Sequence, residues 1–280
     1  MEIIKDIALM RTRCRERKLK GDKIGFVPTM GALHKGHLSL IKRAREDCDF
    51  TVVSIFVNPT QFGPEEDFKR YPRNLSEDLR LCEEEGVDVV FAPLKESMYP
   101  DGFSTWVEVK GMLTETLEGT FRPGHFKGVT TVLTKLFNIV LPDYSYFGEK
   151  DYQQAMVVKK MVQELNIDTE IILLPTVRER DGLACSSRNS YLSPEERKKA
   201  AVLYNSLLKA KQEVERGEKD PSIITSLIRH LIEKEGSFKI DYVAVVNPDT
   251  LEPVDRIRGK TLITIAAWIG GTRLIDNILI

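Results

Sequence analysis

Short apolar runs alternate along the chain with stretches of 3.6-residue periodicity, and that alternation predicts its elements. Residues 1 to 20 read as one amphipathic helix stopped at Gly21. Ile24 to Val27 reads as a buried strand that breaks at Pro28, crosses a small-residue loop from Thr29 to Ala32, and resumes as a helix over 36–47. Thr51 to Val57 is apolar throughout, as suits a strand covered on both faces. Asn74 to Gly86 is a helix with its own ends: Asn74 as N-cap, Glu77 as capping-box partner, Gly86 as stop. A strand from Val87 to Phe91 follows. This βαβαβ order predicts an α/β fold, a Rossmann-like doubly wound parallel sheet with right-handed crossovers.

Ser104 to Val109 alternates and predicts an outlying or edge strand. Gly128 to Leu141 carries Val129, Val132, Leu133, Leu136, Phe137 and Val140 on one stripe. Strand Tyr144 to Phe147, helix Asp151 to Leu165 and strand Glu170 to Leu174 complete a first domain, residues 1–175. The remainder changes character. Ser193-Pro194-Glu195-Glu196 is a capped helix start whose helix runs to Gly217, and Asp220-Pro221 opens a second that ends at Gly236. Strands over 240–246, 261–269 and 272–280 finish the chain. Residues 176–280 are therefore expected to form a smaller C-terminal α+β domain that acts as a lid.

Composition narrows the function. With 41 basic and 42 acidic residues the net charge is −1, so no global field favours nucleic acid or an anionic membrane. No apolar stretch approaches the roughly 18 residues of a membrane span. Cys14, Cys48, Cys82 and Cys185 show no C-x-x-C spacing, which argues for reduced thiols in a cytoplasmic protein rather than a disulfide framework or zinc site. Glutamine and histidine are scarce, yet three of five Gln and three of four His fall in the segments below.

His34 and His37 stand three apart where a strand-to-helix turn ends, so they share the first helical turn with backbone N–H groups that lack intrahelical partners. That is a site for an anion such as phosphate, and Gly31 and Gly36 let a ligand approach the backbone. Asn58-Pro59-Thr60-Gln61 follows the next strand. Loops at the carboxyl ends of parallel strands share one crevice, so its uncharged amides suit a hydroxylated carboxylate beside the phosphates. Arg122, His125 and Lys127 form a basic loop that suits either phosphate neutralisation or a domain junction. Lys150 and the Ser186-Ser187-Arg188 turn add a mobile cation, hydroxyls and a guanidinium fork.

The His-x-Gly-His spacing resembles the HxGH signature of the nucleotidylyltransferase superfamily. The longer strings FVPTMGALHKGH, FVNPTQF, RPGHFKGVTTVLTKLFN, GEKDYQQ and SSRN occur in order over residues 24–190 and resemble the pantothenate synthetase (pantoate–β-alanine ligase) family. That resemblance implies an AMP-forming ligase that joins pantoate to β-alanine with ATP and magnesium, as a homodimer. It implies catalytic roles for His34, His37, Lys150 and Arg188. It places ATP against Met30, Gly31, Gly36, Gly148, Asp151, Val177, Cys185, Ser186 and Ser187, with Pro175 and Thr176 beside adenine; Cys185 replaces the expected Met. Pantoate and β-alanine fall to Asn58, Gln61, Tyr71 and Gln154. Asp78 matches a position near the magnesium, although its helical setting by itself reads as a surface carboxylate. The alternative is a nucleotidylyltransferase that keeps the nucleotide on its product.

Overall fold

The computed structural model describes residues 1–280. In chain order the elements are β1 (Glu2–Ile4), α1 (Ile7–Leu19), β2 (Ile24–Thr29), α2 (Lys35–Asp47), β3 (Phe50–Ile55), α3 (Leu75–Glu84), β4 (Val89–Phe91), α4 (Lys95–Met98), α5 (Met112–Glu115), α6 (Glu118–Phe121) and α7 (His125–Val140). There follow β5 (Tyr144–Gly148), α8 (Tyr152–Glu164), β6 (Glu170–Leu174), α9 (Pro194–Ala200), α10 (Val202–Glu215), α11 (Pro221–Lys234), β7 (Phe238–Val246), β8 (Leu262–Ile269) and β9 (Thr272–Leu279).

β1 to β6 form one parallel sheet in the order β1-β4-β3-β2-β5-β6. The strand order reverses between β2 and β5, and a crevice opens beyond their carboxyl ends at that reversal. Both faces are covered, which is why the strands read as unbroken apolar runs. Phe26, Val52 and Val89 face a core shared with α1, α7 and α8, while Val27, Val53 and Val90 face α2 and α3. β7, β8 and β9 form a separate antiparallel sheet. Ile224, Ile228 and Ile232 of α11 pack on it with Leu203 and Leu207 of α10.

Five expectations change. β2 does not break at Pro28 but runs through it to Thr29, with Pro28 opposite Ser54 of β3. The first residues are not helical: Glu2–Ile4 add a three-residue edge strand beside β4, and α1 starts after Asp6, whose carboxylate caps the Leu9 N–H. Glu77 does not close a capping box. Asn74 caps α3 alone, and the Glu77 carboxylate accepts from Arg80. Ser104 to Val109 joins no sheet; Val107 instead donates to the Thr131 hydroxyl and accepts from Thr130 and Thr131, which anchors the segment on α7. The long helix after Ser193 breaks at Ala201 into α9 and α10.

One carboxylate of α6 ties the helices beside the parallel sheet to the antiparallel one. Glu118, 7% exposed, accepts from both terminal nitrogens of Arg273 (2.7 and 2.9 Å) and from the Tyr242 hydroxyl (2.9 Å). Burial opposes its ionisation, but Arg273, Arg122 and Tyr242 together hold its pKa below the ordinary carboxylate range.

Candidate active site

α2 begins with a histidine as N-cap. His34 Nδ1 accepts from the Gly36 N–H (3.1 Å), and His37 Nδ1 accepts from the His34 N–H (3.4 Å). The two rings form the reciprocal cap more often built from Ser and Glu. Their centroids lie 4.0 Å apart with planes tilted by 32°. A neutral ring that accepts at Nδ1 carries its proton on Nε2. Burial depresses both groups. The His34 pKa falls to about 2, helped by the charges of His37 and Lys150, and that of His37 falls to about 4, with Asp151 opposing and Lys150 assisting. Both are uncharged N–H donors at neutral pH on the wall of one crevice.

The loop before them is held by Asp78. Gly31 takes φ +78° and Ala32 φ 50°, a left-handed bend that aims the next N–H groups inward. Asp78 accepts from Ala32 N–H (2.9 Å) and Leu33 N–H (2.7 Å). It is 2% exposed, which overturns the surface reading of this carboxylate. Burial raises its pKa and the two N–H donors pull the other way. Gly36 also leaves room for the His34 ring, because a Cβ there would lie 2.9 Å from His34 Cε1.

Beyond β3, Gln61 and Asn58 divide their tasks. Asn58 is 1% exposed; its Nδ2 donates to Gln61 Oε1 (3.0 Å) and Gly128 O (3.1 Å), and its Oδ1 accepts from Thr60 and Tyr99. Its amide is fully engaged within the protein. Gln61 keeps Nε2 on the cavity side, with only the Met30 sulfur at 3.3 Å. The Gln61 carbonyl is gripped from behind: His125 Nδ1–H donates to it (2.9 Å), and Arg122 donates to His125 Nε2 (3.2 Å) and to Glu66. Burial and the Arg122 charge depress the His125 pKa to about 3, against the Gln61 carbonyl. Lys127 lies over the Trp106 ring. Arg122 and His125 thus brace the loop that carries Gln61. Tyr99, which shares Asn58 Oδ1 with Thr60, carried no sequence signal because its tie is made across 41 residues.

The last wall comes from the second sheet's side. Asn277 of β9 donates to the Glu149 and Lys150 carbonyls (both 2.9 Å), which fixes the loop that carries Lys150 and Asp151. The Lys150 ammonium lies 3.6 Å from the Asp151 carboxylate. Ser187 Oγ meets the Tyr71 hydroxyl at 3.0 Å. Arg188 is already paired within the chain: Asp67 binds it through Nε (2.9 Å) and Nη2 (2.7 Å). Burial works against the charge on Asp67, and Arg188 outweighs it, so the carboxyl stays below its ordinary range.

Two cavities meet at these residues. One, about 170 Å³, is lined by Met30, Asn58, Gln61, Tyr71, Gln154 and the apolar face of α7. The other, about 130 Å³, is lined by Gly36, Gly148, Pro175, Thr176, Val177 and Cys185. His34, His37, Lys150, Asp151 and Gln154 border both. Gly31 borders neither, and Ser186 and Ser187 border only the first. A larger cleft of about 730 Å³ between the 62–70 segment and β9 touches this site through Lys150, Asp151, Ser186 and Arg188.

A parallel sheet whose order reverses at a histidine-capped helix, with a polar pocket on one side of the cap and an open slot on the other, defines an α/β nucleotide-dependent enzyme. The comparisons specify which. The profile of the pantoate-beta-alanine ligase family matches residues 2–279. The pantothenate synthetase of Acetivibrio thermocellus is 56% identical over 280 residues, all of this chain and 99% of that protein. That of Carboxydothermus hydrogenoformans is 53% identical with the same coverage. Among solved structures, pantothenate synthetase from Thermus thermophilus superposes with a TM-score of 0.95 at 47% identity, covering 99% of each chain. Pantoate-beta-alanine ligase from Francisella tularensis, complexed with beta-gamma ATP and beta-alanine, gives 0.82 at 39% identity over 100% of this chain and 97% of that one. The chain belongs to the pantoate–beta-alanine ligase family and is an ATP-dependent ligase. The nucleotidylyltransferase alternative is not favoured.

Proposed function

We propose that the chain condenses pantoate with β-alanine through a pantoyl adenylate, and that the cavity at Gln61 holds pantoate while the slot at Val177 and Cys185 holds the adenosine. The observation that carries this reading is the common border of the two cavities at His34, His37 and Lys150. An acid in one and a nucleotide in the other would meet at that border. A pantoate carboxylate oxygen forms a bond to the α-phosphorus, and the bond to pyrophosphate breaks. The β-alanine amine then attacks the acyl carbon, loses a proton, and AMP leaves with the bridging oxygen. The Nε2–H groups of His34 and His37 and the Lys150 ammonium donate to the charge that develops on the phosphoryl oxygens. Gln61 and Gln154 hold pantoate, Asn58 sets the Gln61 amide, and the apolar face of α7 keeps water from the adenylate.

Magnesium enters this reading as a charge-neutralising ion on the ATP phosphates. No group of three or more His, Cys, Asp or Glu converges in the protein, and both Asp78 oxygens are engaged by backbone N–H groups. The donor set therefore fits an ion held chiefly by phosphate oxygens and water. We assign ATP and pantoate to a domain over 1–175 and the closing wall to a domain over 176–280, with Asn277 and Arg188 as its contributions. A homodimer is supported by the 104–110 segment: Val107 bonds inward to α7, while the backbone of its neighbours Trp106 and Glu108 makes no hydrogen bond within the chain. That is the pattern of an unpaired edge. A reducing, cytoplasmic setting is supported by four free cysteines, and no helix is long and apolar enough to cross a membrane.

The test is isotopic. With ATP, Mg²⁺ and pantoate alone, labelled pyrophosphate should exchange into ATP. In the full reaction, ¹⁸O from the pantoate carboxylate should appear in AMP. Label recovered in inorganic phosphate or pyrophosphate would replace the adenylate with an acyl phosphate.

A further inference from the structure

Asp67 takes no part in the chemistry above, yet its carboxylate, with side-chain exposure of 10%, lies against the guanidinium that the 186–188 loop supplies. Its oxygens accept from Arg188 Nε and Nη2, which occupies one side of the planar donor fork. A guanidinium has five N–H groups, so three remain, on Nη1 and the outer position of Nη2. They belong to a residue that borders both the pantoate cavity and the larger cleft beside Lys150. The Tyr71 ring lies 5.8 Å from the guanidinium carbon, and the Tyr191 hydroxyl donates to Arg70 O (3.1 Å), so the 67–71 segment brackets the arginine. Unrestrained, a long side chain loses rotamer freedom when it engages a phosphate; a bidentate partner incurs that cost on folding instead.

We propose that Asp67 is a positioning residue that holds the Arg188 guanidinium by its Nε–Nη2 edge, leaving the other edge directed at the nucleotide's phosphates. This rests on Arg188 being a phosphate donor. The opposite role for the same contact is a placeholder, in which Asp67 occupies the phosphate position and must withdraw.

The experiment compares Asp67→Ala, Asp67→Asn, Asp67→Glu, Arg188→Ala and the Asp67→Ala/Arg188→Ala double variant in pantoate-dependent pyrophosphate–ATP exchange. Arg70→Ala serves as control, since it removes another bond from the same segment to the second domain, to Gly271 O. Loss of orientation predicts a drop of roughly 10- to 100-fold in kcat/KM for ATP in the Ala and Asn variants. The KM for pantoate should stay within about twofold, which also reports that the variants are folded. Asp67→Glu should recover part of the loss, and the double variant should be no slower than Arg188→Ala, because the two residues act as one unit. Wild-type ATP kinetics in Asp67→Ala beside an impaired Arg188→Ala would overturn the proposal and leave the Arg188 reading standing. A lower KM for ATP in Asp67→Ala would establish the placeholder instead. An equal loss in Arg70→Ala would reduce Asp67 to a strap between domains. An unimpaired Arg188→Ala would remove the phosphate role of Arg188, and with it this proposal.

Discussion

His34 and His37 serve the fold and the proposed chemistry with different atoms: Nδ1 of each closes the start of α2, and Nε2–H of each is left for the substrate. The cap fixes the tautomer, so these donors need no protonation. His37→Ala should lower kcat by about 10²–10³, the ~2.7–4 kcal/mol typical of a donor to developing charge, with little change in ATP binding. A kcat within threefold of wild type, measured with ATP binding by calorimetry, would remove His37 from the mechanism. Asn58 makes the contrasting case. Asn58→Ala leaves the Gln61 and Tyr99 groups without their partner, and buried groups left so cost about 1–3 kcal/mol each. Stability should fall by that order in urea titration and the KM for pantoate should rise, whereas Gln61→Ala should raise the KM with a smaller loss of stability.

At the scale of the element, the turn between β2 and α2 is held by α3. Asp78 reaches from its first turn to the N–H groups of Ala32 and Leu33, and Ala32 keeps a left-handed φ of 50°. Backbone strain of this kind persists only where neighbours over-determine it. Asp78→Asn keeps the size but can accept through one oxygen only, so it should cost about 1–3 kcal/mol and lower kcat without abolishing ATP binding. If magnesium bound Asp78 directly, that variant would instead raise the Mg²⁺ concentration needed for half-maximal rate; an unshifted Mg²⁺ dependence separates the two.

At the scale of the whole molecule, Glu118 ties the parallel sheet's helical flank to β7 and β9. Removing one partner from a buried charge network typically costs about 3–5 kcal/mol. Glu118→Ala, which leaves Arg273, Arg122 and Tyr242 without it, should lower the urea midpoint accordingly. The three histidines held neutral make a second global prediction. Their folded pKa values of about 2, 4 and 3 lie below the ordinary 6.5, so the unfolded chain binds more protons in acid. Stability from this source is complete above about pH 6.5 and is lost as pH falls below it. The pH dependence of the unfolding midpoint near pH 5 should correspond to uptake of up to about three protons, and His125→Gln should reduce it by about one.

Much of this was legible in the chain because it is local. Apolar runs covered on both faces, the Ser193 capping box and the His-x-Gly-His spacing depend on neighbours within four residues, so β2 to β6 lie within two residues of where the pattern put their ends, and the start of α9 and the paired histidines stood where it put them. The motif order also carried the family, since those strings are read without a fold. What the chain could not show were pairings across long separations. Glu2–Ile4 is a strand only because β4 lies beside it, and Ser104 to Val109 is none because no strand of this chain does. A carboxylate on a helix looks solvated until another loop's N–H groups cover it, as Ala32 and Leu33 cover Asp78 across 46 and 45 residues. An arginine looks free until Asp67, 121 residues away, binds it. Periodicity records which face of an element is apolar. Which polar groups find each other is settled only when the packed elements remove water, because an unpaired polar group then costs kilocalories and a paired one does not.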